Sequence, residues 1–128
     1  MMIEIKFRGV NRQTNKWRFG DLTQEIDGKR LYEAINGEEI IAETRGQFTG
    51  LIDNSEEKEE IYGGDIIEDK FGRKYVVKYF SEWGAYMFYM PDDSNTNVLN
   101  PLRITAIDNF ELIVVGNIID NPELLEVK

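Results

Sequence analysis

Two missing residue types set the chemistry open to this chain: no histidine and no cysteine occurs among its 128 residues. Imidazole relays, His-based triads, HExxH metal sites, thiolate nucleophiles, zinc–thiolate centres and disulfides are thereby excluded. What is left for catalysis is carboxylate chemistry, either a glycosidase-like acid pair or a magnesium–carboxylate site. With 24 Asp and Glu residues, some pair falls at a suggestive spacing by chance alone. Glu56, Glu57, Glu59 and Glu60 lie in the block DNSEEKEE (53–60), whose composition reads as a solvated loop. Asp65 follows Gly63-Gly64 and can be held rigidly, but a turn residue bonding nearby backbone amides is the plainer expectation. The stretch PDDSNTN (91–97) has partial calcium-loop chemistry. Counted from Asp93, however, the sixth position is Val98 instead of Gly and the twelfth is Ile104 instead of Glu, so it reads as a solvated turn. No P-loop or GxGxxG pattern occurs. No catalytic residue, metal ligand or cofactor is nominated.

A basic segment is the stronger candidate. Residues 5 to 20 carry Lys6, Arg8, Arg12, Lys16 and Arg18 with no acid among them, in a chain whose formal charge is −9. Ile3, Ile5 and Phe7 alternate with Glu4, Lys6 and Arg8, and Trp17 and Phe19 alternate with Lys16 and Arg18. Both runs read as half-buried strands. Joined in one hairpin across GVNRQTN, they would put the apolar sets on the core face and crowd Lys6, Arg8, Lys16 and Arg18 on the outer one. Like charges opposite each other are unfavourable until neutralised, either by the chain's own carboxylates or by an anionic partner. These four cations are the candidate partner-binding residues, and pairing with the chain's own acids is the plainer reading.

The elements that would carry such a site are mostly strands. Asp27-Gly28 and Asn36-Gly37 have turn chemistry around Leu31–Ile35, and Ile40-Ile41 follows. Past the acidic block, Ile61-Tyr62 and Ile66-Ile67 flank a bend at Gly63-Gly64-Asp65. Phe71-Gly72 and Trp83-Gly84 bracket KYVVKYF, and AYMFYM follows, which predicts an antiparallel meander. FELIVVGNII (110–119) is the most apolar run and reads as a central strand. Asn121-Pro122-Glu123 has helix-start chemistry: a capping side chain, a first-turn Pro and an acid, with Leu124 and Leu125 docked behind. The expected fold is mainly β: a small antiparallel barrel-like meander, an N-terminal β lobe and a short C-terminal helical turn. One domain is expected over residues 1–128, with the β lobe at about 1–52, the acidic loop at 53–60 and the barrel-like lobe at about 61–128.

A chain of this length buries a core without covalent staples. MMIEIKFRG carries charge too early for a secretory signal, and no run reaches the roughly 20 apolar residues of a membrane span. The expected location is the cytoplasm, with no membrane partner. The acidic balance favours a protein partner over nucleic acid, with self-association as a further option.

Three segments in order, IKFRGVNRQTNKW, QFTGLIDN with IYGGDII, and VVGNIIDNPELL, closely resemble the YopX family of small phage and prophage proteins of Gram-positive bacteria. The likeness runs from Ile3 to Leu125. Two places depart from the family pattern: the linker between QFTGLID and IYGGD is more acidic, and Gly64 replaces a polar residue. The resemblance implies a mostly-β fold and a phage context in the bacterial host cytoplasm, and it brings no catalytic residue with it. The expected function is a non-catalytic accessory protein that binds a host or phage macromolecule. A nucleic-acid-associated module using the basic hairpin comes second, and a small carboxylate-dependent hydrolase third.

Overall fold

The computed structural model describes residues 4–91 and 99–126. Ile3 and most of the 91–97 loop, including the calcium-loop positions Asp93 to Val98, lie outside the described residues. The fold is mainly antiparallel β, with a curled half-barrel sheet and a short C-terminal helix. The chain divides into two compact units, Met1–Gly50 and Leu51–Lys128.

The first unit holds β1 (Phe7–Asn11), β2 (Trp17–Gly20), β3 (Leu22–Asp27), β4 (Arg30–Ile35) and β5 (Glu38–Ile52), whose last residues pass the unit boundary. Asn36 and Gly37 turn the chain between the paired residues Ile35 and Glu38 with φ of 53° and 80°. That double positive φ is the left-handed geometry Asn-Gly supplies at least cost, and it matches strand twist. The strands run in the order β2-β1-β5-β4-β3. β2 and β3 stand at opposite ends of that order, yet Asp21 alone separates them in the chain. The sheet therefore curls until the end of β2 meets the start of β3. Asn36 helps to hold the curl: its Nδ2 donates to the Phe19 carbonyl at 3.1 Å. Its amide lies so close to Gly20 that a Cβ there would sit 2.7 Å from Oδ1.

Val10, Ala34, Ile35 and Ile40 are buried in this unit. Gly9 leaves room where β1 crosses Ile40: a Cβ on it would lie 2.5 Å from Ile40 Cδ1, and that side chain would have to shift. The β1–β5 register slips between Arg8 and Val10. Thr44 fills the irregularity, its Oγ1 accepting the Val10 N–H at 2.8 Å and donating to the Ile41 carbonyl at 2.6 Å. The amide freed by the slip thus keeps a partner, as buried backbone requires.

The second unit holds β6 (Glu60–Tyr62), β7 (Asp65–Glu68), β8 (Lys74–Phe80), β9 (Ala85–Tyr89), β10 (Asn100–Pro101), α1 (Ile104–Phe110) and β11 (Ile113–Asn117). A 3-10 turn follows at Pro122–Leu125. The sheet order is β10-β9-β8-β7-β11, all antiparallel, with the expected meander at its centre. Ile61, Ile67, Tyr75, Val77, Phe88, Leu102 and Leu112 pack with Ile107 of α1 into one core.

Three local expectations are corrected. The run 110–119 is not one central strand: Phe110 ends α1, β11 is five residues long at the end of the sheet order, and Ile118 and Ile119 are exposed. Glu111 at φ 52° ends the helix, and a register shift between Val114 and Gly116 bends the strand. Apolar content alone cannot tell a buried strand from a helix end followed by an edge strand. Asn121 precedes the 3-10 turn but does not cap it. Its Oδ1 accepts the Asn117 N–H at 3.2 Å instead, and it packs against Gly116, where a Cβ would lie 2.6 Å away. Leu124 and Leu125 are only partly buried.

Candidate functional site

The four nominated cations sit on or beside the β1–β2 hairpin but do not share one face. Phe7 pairs with Gly20, Arg8 with Phe19, Gly9 with Arg18 and Val10 with Trp17. Residues directly opposite in an antiparallel pair project from the same face. Arg8 therefore belongs with Val10, Trp17 and Phe19, whereas Arg18 belongs with Phe7 and Gly9. Arg8 is buried, and its guanidinium lies 4.9 Å from the centre of the Trp17 ring. The expected crowding of four cations on one outer face does not occur.

The turn decides this. Asn11 accepts the Gln13 and Thr14 N–H groups on its side-chain Oδ1 at 2.8 and 2.9 Å, and Asn15 takes φ of 59°. The Asn11 N–H then meets the Lys16 carbonyl at 2.8 Å, which leaves Arg12 to Asn15 as the loop. A loop with an even number of residues pairs even positions with odd ones. One residue more or fewer would have reversed the face of every side chain on β2. Lys16 is exposed at the end of the turn. Lys6 lies 3.5 Å from Glu4 and 5.3 Å from the Phe48 ring centre.

Arg18 turns to a site the sequence reading missed. A cleft of about 350 Å³ opens between the β1–β2 turn (Asn11, Gln13, Thr14) and the β3–β4 hairpin (Asp27, Arg30, Tyr32), floored by Gly37, Glu38 and Glu39. Glu38 accepts Arg18 Nε at 2.9 Å and Asn11 Nδ2 at 2.8 Å. Glu39 accepts Arg12 Nε at 2.9 Å together with Arg30 Nη2. The Arg30 guanidinium also lies over the Tyr32 ring, 5.2 Å from its centre. The hydrogen bond from Arg30 holds the Glu39 carboxyl below the usual carboxylate range. Adjacent glutamates after an Asn-Gly turn were a legible signal only for a strand start; their arginine partners come from 9, 20 and 27 residues upstream.

Three buried carboxylates, Asp53, Asp65 and Asp69, are engaged with backbone. Buried Asp53 accepts Ser55 N–H at 3.0 Å, Ser55 Oγ at 2.6 Å, Glu59 N–H at 3.0 Å and Val114 N–H at 2.9 Å. Buried Asp65 accepts the Tyr62 N–H at 2.7 Å, the turn role expected for it. Buried Asp69 accepts Phe71 and Arg73 N–H groups, Arg73 Nε at 2.8 Å and Tyr75 Oη at 2.7 Å. Burial by itself would raise Asp53 and Asp69, but these donors outweigh it and hold both below the usual range. Burial and the bond to Asp69 push the Tyr75 hydroxyl up to about 12. A glycosidase acid needs the opposite shift. Glu39, Asp53 and Asp69 are therefore anions with structural duties. The acidic block 53–60 is arranged around Asp53, with Glu56, Glu57 and Glu59 exposed.

The YopX protein family matches residues 2–126, nearly the whole chain. The chain belongs to the YopX family. No curated protein sequence matches it. Among solved structures, it is similar to the crystal structure of protein EF1440 from Enterococcus faecalis, at 18% identity and a TM-score of 0.52. That likeness covers 98% of this chain and 100% of the other, and it supports the fold. No helix among the described residues is long and apolar enough to cross a membrane.

Proposed function

We propose that this YopX-family chain is a non-catalytic accessory protein of a phage or prophage, working in the host cytoplasm by binding a host or phage protein. One observation carries the reading: the β3–β4 hairpin ends in a directly paired Ile26 and Leu31, 71% and 72% exposed. Large aliphatic side chains held opposite each other on a rigid hairpin lose little entropy on docking, and their burial stabilises a complex. The arm is tied along its length, by Arg45 to Glu33 at 2.5 Å in mid-strand and by Arg30 to Glu39 beside the turn, which limits its freedom to move. Asp53 and Asp69 are held below the usual carboxylate range, the opposite of what the general acid of a hydrolase needs, which counts against the hydrolase reading. The basic-hairpin reading is weakened because Arg12, Arg18 and Lys6 already sit on Glu39, Glu38 and Glu4.

The test is affinity capture from host lysate, with nuclease, using the wild-type chain and an Ile26→Ser/Leu31→Ser variant. A partner retained after nuclease and lost with the variant is the expected result. Partners that survive the double substitution, or that vanish with nuclease, refute the reading.

A further inference from the structure

A different surface, in the second unit, has its own chemistry. Residues 70 to 81, KFGRKYVVKYFS, carry four cations and no acid. In the turn between β7 and β8, Phe71 is 68% exposed, with Lys70 Nζ 5.6 Å and the Arg73 guanidinium 5.1 Å from its ring centre. The Lys70 N–H donates to the Phe110 carbonyl at 2.9 Å, which places this turn beside the end of α1. There a groove of about 320 Å³ lies between α1 and the β9–β10 pair. Its floor is Phe88 with Phe110, edge to face at 6.5 Å between ring centres. Thr105 and Asn109 line it from one helix face, being four residues apart, and Arg103 stands at the helix start. Among the described residues, the side chains of Lys70, Arg103, Thr105 and Asn109 take part in no hydrogen bond or ion pair. Asp69 in the turn is buried and accepts the Phe71 and Arg73 N–H groups, Arg73 Nε and the Tyr75 hydroxyl, so Arg73 is already paired while Lys70 is not.

We propose that the second unit binds single-stranded nucleic acid along this strip, from the groove over Phe110 to the Lys70–Phe71–Arg73 turn. Unpaired bases offer the open ring faces that Phe71 and Phe110 can stack on, and polar edges for Asn109 and Thr105. The phosphates between them meet Lys70 and Arg103. A duplex hides its ring faces, and an acidic peptide satisfies the cations but leaves the rings and the amide unused. Asp108 and Glu111 on the same helix region keep the contact weak and sensitive to salt. The strip is independent of the Ile26/Leu31 arm, and either can fail alone.

The experiment is fluorescence anisotropy of labelled dT and rU oligomers of about 16 nucleotides, the upper site size of one small module, with the full chain over a salt series. Binding at low salt that weakens with salt is expected. Phe71→Ala should weaken it by about 5- to 150-fold, the range for one stacked base. Lys70→Gln with Arg103→Gln should lower the salt slope by about 1.4, at about 0.7 for each single-strand phosphate contact. Trp83→Ala, an exposed ring at the other end of β8, should leave binding unchanged. Amide shifts of the wild-type chain on adding dT should fall within 69–73 and 103–110. No binding at low salt overturns the proposal, as do equal binding of polyglutamate, a silent Phe71→Ala, or shifts confined to residues 4–50.

Discussion

Asp53 offers the sharpest test of how the second unit is held together. Its side chain is buried and accepts four hydrogen bonds, three of them from loop residues Ser55 and Glu59 and one from Val114 on β11. Asp53→Ala removes every acceptor and leaves three backbone N–H groups to find others. A stranded buried donor costs about 1–3 kcal/mol, and Glu59 and Val114 are exposed or half-buried, so water recovers part of that loss. The expected loss is about 3–5 kcal/mol at pH 7, a large share of the ~5–15 kcal/mol that stabilises a domain. Asp53→Asn keeps one oxygen for three of the bonds but turns an amide N–H toward the Val114 N–H, so its loss should be smaller, about 1.5–3 kcal/mol. The sign with pH follows from the depressed folded pKa. The stabilisation is fully present above the unfolded Asp value near 3.9 and is lost as pH falls through the lower folded value. Urea denaturation of wild type, Asp53→Asn and Asp53→Ala at pH 7 and near pH 3 reads both effects. The gap between wild type and Asp53→Asn should narrow at the acidic end. An Asp53→Ala loss under about 0.5 kcal/mol at pH 7, or a gap that ignores pH, would refute the reasoning.

Gly9→Ala should destabilise the first unit by about 1–3 kcal/mol through overpacking on Ile40 Cδ1, and Ile40→Val, which removes that atom, should restore part of it in a double-mutant cycle by urea melts. Tyr75 should ionise near pH 12 in an ultraviolet titration, well after an ordinary tyrosine. Because its folded value is raised, its stabilisation is whole below about pH 10 and disappears as pH climbs through 12, and a Tyr75→Phe chain should lack that alkaline step. Truncation after Ile119 removes the Asn121–Asn117 bond and two half-buried leucines, so thermal melting should drop by the equivalent of about 1–3 kcal/mol. An unchanged melt would make the tail a free appendage.

The sequence by itself determined the strand content, most of the turns and the family. Those signals are local: Asn-Gly needs its left-handed turn, alternating residues need two faces, and missing histidine and cysteine need no geometry to interpret. Asp65 was legible as a turn residue for the same reason, since the amide N–H that donates to it is three residues away. The candidate site was not legible, because its members meet across the sheet. Glu38 and Glu39 acquire meaning only when the β1–β2 turn delivers Arg12, Arg18 and Asn11 to them. The shared face of Lys6, Arg8, Lys16 and Arg18 was a parity question. Both strands had the right alternation, but the length of the Arg12–Asn15 turn set which side of β2 met which side of β1. Residues 104–110 gave no cap and too few turns to announce a helix, so α1 and the groove beside it exist only through Ile107 packing on the core sheet. Side-chain period belongs to the chain, whereas register and the pairing of distant charges belong to the folded whole.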